Sequence, residues 1–177
     1  MKDFEVKEVK QIYSGRVVDL SVETIILPDG KEARREVVRH PGAVAIVPMA
    51  SAKEVILIKQ FRYCAGKTLW EIPAGTMEQG ETPLACAQRE LIEETGHRAG
   101  KMESLGGFYT TPGFCNEFLY LFVATELEQC ESNLDRDEQI ETHKMSMKEA
   151  FCKIESGEIA DAKTLVGLMR VNRMTLR

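Results

Sequence analysis

The stretch GTMEQGETPLACAQRELIEETGH, residues 75–97, decides how this chain is read. Within it, R-E-L-I-E-E sets Glu90, Glu93 and Glu94 at spacing i, i+3, i+4. On a helix these three carboxylates share one face, and like charges so placed cost about 0.2–0.5 kcal/mol per pair. The helix itself is well signalled. Thr82 suits the N-cap and Pro83 the first helical position. Leu84, Ala87 and Leu91 recur at i, i+3, i+7 as an apolar stripe, and Gly96 suits a left-handed C-cap. The spacing predicts a helix over 83–95 with one buried stripe and a carboxylate face elsewhere. Repulsion on that face is relieved if something positive sits on it. Clustered oxygen ligands suit Mg²⁺ or Mn²⁺, and such ions in turn neutralise phosphate oxygens. Gly75 and Gly80 bracket a loop that must turn tightly before the helix. Arg89, beside Glu90, is placed to hold a carboxylate by a bidentate bond.

Around this stretch the chain alternates between extended and helical signals. VVDLSVETIIL at 17–27 alternates around Leu20, Val22, Thr24 and Ile26; PDG at 28–30 is a turn, and KEARREVVRH follows as a second extended run, so the pair reads as a hairpin. AVAIVPM and EVILIKQF read as two further strands, and TLWEIPAG as a short strand or loop leading into the motif. After the helix come SLGGFYTT, the loop PGFCNE and the strand FLYLFVA. The charged run ELEQCESNLDRDEQIE is expected to be mostly solvated loop. SMKE at 146–149 matches a capping box and opens a helix that stops near Gly157. Asp161 is expected to cap a last helix through roughly Met174. This order of strands and helices implies an α+β or layered α/β/α domain.

The 177 residues suit one domain, or one domain with a small extension. A formal net charge of −5 argues against a broad nucleic-acid surface, which needs clustered Lys and Arg. It leaves room for a small phosphorylated substrate held by a few arginines or metal ions. The apolar runs are too short to span a bilayer and no signal-peptide pattern is visible, so the expectation is a cytoplasmic protein without membrane or nucleic-acid partners. The five cysteines form no C-x-x-C pair or zinc spacing and read as reduced thiols. His40, His97 and His143 share no motif and read as structural or surface groups, and Trp70 as a core residue.

Gly75, Glu81 and the run Arg89-Glu90-Leu91-Ile92-Glu93-Glu94-Thr95-Gly96 stand at the spacing of the Nudix box, and the chain resembles the Nudix hydrolase family at every fixed position of that box but the last. There a bulky aliphatic residue is usual and His97 stands instead, a departure that touches packing after the helix. The resemblance implies an α/β/α sandwich around a mixed sheet and hydrolysis of a nucleoside diphosphate linked to another moiety, with Mg²⁺ or Mn²⁺. Carried onto this chain, Glu90 and Glu94 would be metal ligands, Glu93 a ligand or the base, and the carbonyl of Ala74 would complete the site. Gly75, Glu81, Arg89 and Gly96 would be structural parts of the motif.

Pro112, sixteen residues past Gly96 in YTTPGFCNE, resembles the ADP-ribose pyrophosphatase subfamily, with Thr111 in place of its serine. SGRVVDLSVETIILPDG, RREVVRHPGAVAIVP and IKQFRY are similar to that subfamily too. The likeness implies an N-terminal β extension, residues 1–41, that forms a small antiparallel sheet exchanged across a homodimer, and a Nudix domain at 42–177. It places Arg35 near the adenine or the pyrophosphate, Arg62 near the phosphates, and Pro112 and Gly113 at the substrate. In DRDEQIE at 135–141, Glu138, with Glu141 as the alternative, would activate water. The expected reaction turns ADP-ribose into AMP and ribose 5-phosphate. Other nucleotide sugars, ADP-glucose or GDP-mannose, and a non-catalytic nucleotide-binding module are the alternatives.

Overall fold

The computed structural model describes residues 4–131 and 139–175. Its strands are β1 (Glu5–Ser14), β2 (Asp19–Ile26), β3 (Glu32–Arg39), β4 (Ala43–Ser51), β5 (Glu54–Arg62), β6 (Lys67–Glu71), β7 (Ala74–Thr76), β8 (His97–Tyr109), β9 (Phe118–Gln129) and β10 (Ile140–Ser146). Its helices are α1 (Pro83–Thr95), α2 (Met147–Glu155) and α3 (Ala162–Thr175). They fall into two compact units: residues up to Gly42 with Tyr109–Phe118, and Ala43–Phe108 with the chain from Leu119 onward.

The larger unit is a mixed sheet in the order β10-β5-β4-β9-β8, with β6 paired to β5 and β7 to β4. β4 is its centre. It runs parallel to β9 and antiparallel to β5 and β7, and residues 43–49 are buried without a break. That is why its sequence is continuously apolar rather than alternating. Pro48, which cannot donate to a ladder, stands beside an irregularity in the β4–β5 pairing between Met49 and Ser51. On one face, Val44, Ile46, Phe122 and Ala124 pack with Cys86, Ala87 and Leu91 of α1. On the other, Val47, Leu57, Leu121 and Val123 pack with Ala150 of α2 and Leu168 and Val171 of α3. The result is the three-layered α/β arrangement expected, a helix on one face and two on the other.

The caps follow the sequence. Thr82 Oγ1 accepts from the Ala85 N–H at 3.3 Å, and Gly96 closes α1 at φ 64°, a conformation that costs other residues more than glycine. Ser146 Oγ accepts from the Glu149 N–H. Asp161 Oδ2 accepts from the backbone N–H and the hydroxyl of Thr164.

The smaller unit is the antiparallel sheet β1-β2-β3 with the 109–118 segment. β1 falls within the β extension that the resemblance implied, but no pattern of its own marks it, because its ten residues are all exposed and carry no half-buried alternation. Two expectations need correction. On β2 the shielded set is Ser21, Glu23 and Ile25, while Leu20, Val22, Thr24 and Ile26 are half-buried; the Glu23 carboxylate is tolerated there because Arg39 donates to it at 2.7 Å. The charged run after FLYLFVA is not all loop. β9 continues to Gln129, and β10 pairs along its whole length with β5 from Glu54 to Gln60. Backbone pairing holds these polar strands, and hydropathy does not reveal it.

Candidate active site

α1 places the box carboxylates at the centre of the larger unit. The expectation of a carboxylate face apart from the buried stripe fails. Glu90 is 9% exposed and Glu94 4%, buried beside Ala87 and Leu91, while Leu84 is 45% exposed. The stripe turns toward the sheet one step later than the apolar pattern suggests, and two of its positions are filled by glutamates.

Arg89 organises the cluster. Its Nε and Nη2 donate to the two oxygens of Glu81, each at 3.0 Å, and its Nη1 donates to Glu90 Oε1 at 2.7 Å and Glu93 Oε2 at 2.9 Å. One guanidinium thus serves three carboxylates, and the bidentate pairing falls on Glu81. Glu81 also accepts from the Glu78 N–H at 3.1 Å, which ties the loop before α1 to the helix. The hydrogen bond from Arg89 holds the Glu81 carboxyl well below its ordinary 4.5, at about 2, and the surrounding carboxylates raise Arg89 further. Cys86 lies alongside, its thiol pushed up to about 12 by burial and by Glu81, so it is no nucleophile near neutrality. Because Glu81 has a lowered folded-state pKa, its contribution to stability is complete above pH 4.5 and drains as pH falls toward 2. Glu81→Gln should therefore lose less urea resistance than the wild-type chain between pH 7 and pH 3; an equal loss in both would show that the pairing does not couple to folding.

Gly75 explains how Glu90 fits. A Cβ built on Gly75 would lie 1.8 Å from Glu90 Oε1 and 1.9 Å from its carboxyl carbon, so only glycine leaves that carboxylate room against β7. The neighbouring Ala74 N–H donates to Glu94 Oε2 at 2.9 Å. Among the described residues no three acidic, His or Cys side chains converge as a ready cage for an ion, since Arg89 draws Glu90 and Glu93 to itself. The donor set nevertheless fits a hard divalent cation, being all oxygen and anionic. A further acceptor faces the same way. Gln60 Oε1 is buried without a hydrogen-bond partner among the described residues, and Gln60 shares its face of β5 with Ile58, whose partner Thr142 reaches the Glu94 carbonyl.

Of the substrate residues, Arg62 is in the larger unit and is not free. Its Nε and Nη2 donate to the carboxylate of Glu71 at 2.8 and 2.7 Å, and the charge of Glu94 also acts on it. Glu71 was missed by sequence reasoning. A lone acid inside the apolar run LWEIPAG was the available signal, since a buried charge requires a partner. Arg35 lies in the smaller unit, where it and Gly113 line one open pocket of about 520 Å³ with Val22, Arg34, Glu36 and Phe114. The Pro112–Gly113 turn is fixed on β3 by Val38 N–H to the Phe114 carbonyl at 2.8 Å and Asn116 N–H to the Val38 carbonyl at 3.1 Å. Glu138 lies outside the described residues. Glu141 is an exposed residue of β10, 3.3 Å from His143 Nε2. His143 packs edge-on against Trp70 at 4.9 Å between centroids, and Trp70 packs against the core, as expected of both.

A mixed sheet between helix layers, with the box glutamates over a glycine-backed strand, defines a Nudix fold, and residues 39–166 match the NUDIX domain model. The chain belongs to the Nudix family. It is 45% identical over 168 residues to an ADP-ribose pyrophosphatase of Bacillus subtilis (strain 168), covering 93% of this chain and 91% of that one. It is 42% identical to a methanol dehydrogenase activator of Bacillus methanolicus, over 94% of this chain and 92% of the relative. Among solved structures, one described as an ADP compounds hydrolase superposes with a TM-score of 0.87 at 19% identity, covering 98% of this chain and 95% of that one, which bears on the fold alone.

Proposed function

We propose that the chain hydrolyses the pyrophosphate bond of ADP-ribose to AMP and ribose 5-phosphate, with Mg²⁺, or Mn²⁺ in its place. The observation that carries this reading is the set Glu90, Glu93 and Glu94 gathered by Arg89 against Gly75, in a chain so close to an ADP-ribose pyrophosphatase. Glu90, Glu94 and the Ala74 carbonyl, with Glu93 as ligand or base, are the residues that would hold the cation, which when bound supplies charge neutralisation at the phosphate oxygens. Water attacks one phosphorus, the bridging P–O bond breaks, and the water proton passes to a glutamate: Glu93, Glu138 or Glu141. Arg62 takes a phosphate by its remaining guanidinium edge. Arg35 and Gly113, in the pocket they line, receive the adenine or the pyrophosphate, with Pro112 next to Gly113 in the same turn.

The N-terminal extension, residues 1–41, serves as a dimerising sheet beside a Nudix domain at 42–177. What supports this is β1 with the residue before it, where Phe4, Val6, Val9, Ile12 and Tyr13 are all exposed at about half or more, an apolar surface suited to a second copy. A cytoplasmic setting fits the five free cysteines. The decisive experiment is a substrate panel with Mg²⁺: ADP-ribose, ADP-glucose, GDP-mannose and NADH, with products followed by phosphate content. Preferred turnover of ADP-ribose to AMP is expected; preference for GDP-mannose, or no turnover with either metal, would overturn the assignment. The same sample should run in solution at about twice 19.9 kDa; a monomer mass would sink the exchanged sheet.

A further inference from the structure

Glu71 is 1% exposed, yet it is an ionised carboxylate with two cations on it. Arg62 grips it from β5 with two parallel bonds. Lys163, from the first turn of α3, donates to Glu71 Oε2 and lies 3.2 Å from Asp161 Oδ2. The end of α3 is itself fastened beside Glu71, because Thr164 Oγ1 accepts the Ile72 N–H at 2.8 Å while donating to Asp161 at 2.6 Å. Burial pushes the Glu71 carboxyl up, but the bonds from Arg62 and Lys163 outweigh it and hold it below the ordinary range.

Such a network is a poor source of stability. Desolvating the charges offsets most of their attraction, and apolar residues of similar volume serve as well. It does fix direction. Arg62 spends Nε and Nη2 on Glu71, its side chain is 40% exposed, and it stands near Glu94. With Glu71 alone the guanidinium would be neutralised. Asp161 lies 3.2 Å from Lys163, so Arg62, Lys163, Glu71 and Asp161 together are neutral; without Lys163 the same group would carry one net negative charge and repel a phosphate.

We propose that Lys163, acting through the buried Glu71, is a positioning residue that orients Arg62 and keeps the group around it from turning negative, so that Arg62 binds a substrate phosphate. The proposal rests on the reading of Arg62 as a phosphate contact. Lys163 touches no substrate; it sets what Arg62 presents.

The test uses the full chain carrying Lys163→Met, Lys163→Arg and, as a control, Arg62→Ala. Two readouts are taken: KM and kcat for ADP-ribose with Mg²⁺, and the Kd of AMP by calorimetry without metal. Lys163→Met is expected to raise KM and weaken AMP binding by about tenfold each, the range in which supporting partners act, with the loss on KM rather than kcat. Lys163→Arg should restore both to within about threefold, because the cation returns and the shape does not. Wild-type KM and AMP affinity in Lys163→Met, with only a lowered Tm, would overturn the proposal and leave the network structural. If Lys163→Met fails to fold, Lys163→Arg decides alone: a tenfold loss of AMP affinity in that charge-conserving variant contradicts a role set by charge. Failure of the underlying reading looks different, for Arg62→Ala would then bind AMP as tightly as the wild-type chain.

Discussion

Glu94→Gln should lower kcat for ADP-ribose by about 10²–10³-fold, since a bound cation supplies several kcal/mol of charge stabilisation in the transition state and each 1.36 kcal/mol is tenfold. The substitution conserves shape and the acceptor for the Ala74 N–H, so the backbone of β7 stays where it is. What it removes is charge, in a side chain only 4% exposed. The Tm should move little, because loss of one carboxylate from an i, i+3, i+4 cluster relieves repulsion while it removes attraction to Arg62. Mn²⁺ binding followed by its paramagnetic resonance gives a reading free of turnover: affinity should fall together with kcat. Unchanged kcat and Mn²⁺ affinity would place the metal elsewhere.

Gly75→Ala should be nearly as damaging through a single methyl group. The added Cβ would lie 1.8 Å from Glu90 Oε1 and 2.4 Å from Oε2, far inside contact distance, so either the carboxylate or the strand must move. Overpacking of this kind costs about 1–3 kcal/mol of stability, and a displacement near 1 Å at a reacting centre costs about 10²-fold in rate. Glu90 would also be pulled from its 2.7 Å bond with Arg89, which loosens Glu93 and Glu81 in turn. The expected result is a fold that survives with a lower denaturation midpoint and a kcat reduced by about two orders of magnitude. Wild-type kcat in a folded Gly75→Ala protein would mean that Glu90 has space to spare and that its position does not matter.

Much of this was legible in the chain. The helix at 83–95, its caps at Thr82 and Gly96, the Ser146 cap and the Asp161 cap all came from local chemistry, because a cap is decided by a few neighbouring residues. β4 and β5 were visible as apolar runs. Strands β1 and β10 were not. One is exposed along its whole length, the other is an edge strand with polar outward positions, and both are held by backbone pairing, β1 to the neighbouring β2 and β10 to β5, which is distant in sequence. Leu84 was read as buried and is not, since periodicity gives the spacing of a stripe but not where the facing sheet begins.

The sequence by itself determined the chemistry available: three glutamates on one helix turn, an arginine beside them and a glycine ahead, at spacings that few other uses would require. Side-chain type and helical period are local properties, so they can be read in one dimension. Only the tertiary structure decided which groups meet. It put Glu81 rather than Glu90 in the bidentate grip of Arg89, set Glu90 over the bare Cα of Gly75, and joined Glu71, already paired with Arg62, to Lys163 across ninety-two positions of sequence. Those pairings depend on how β5, β6 and α3 come together, and the energy that brings them together is apolar burial across the whole sheet, to which none of these charged residues contributes a signal of its own.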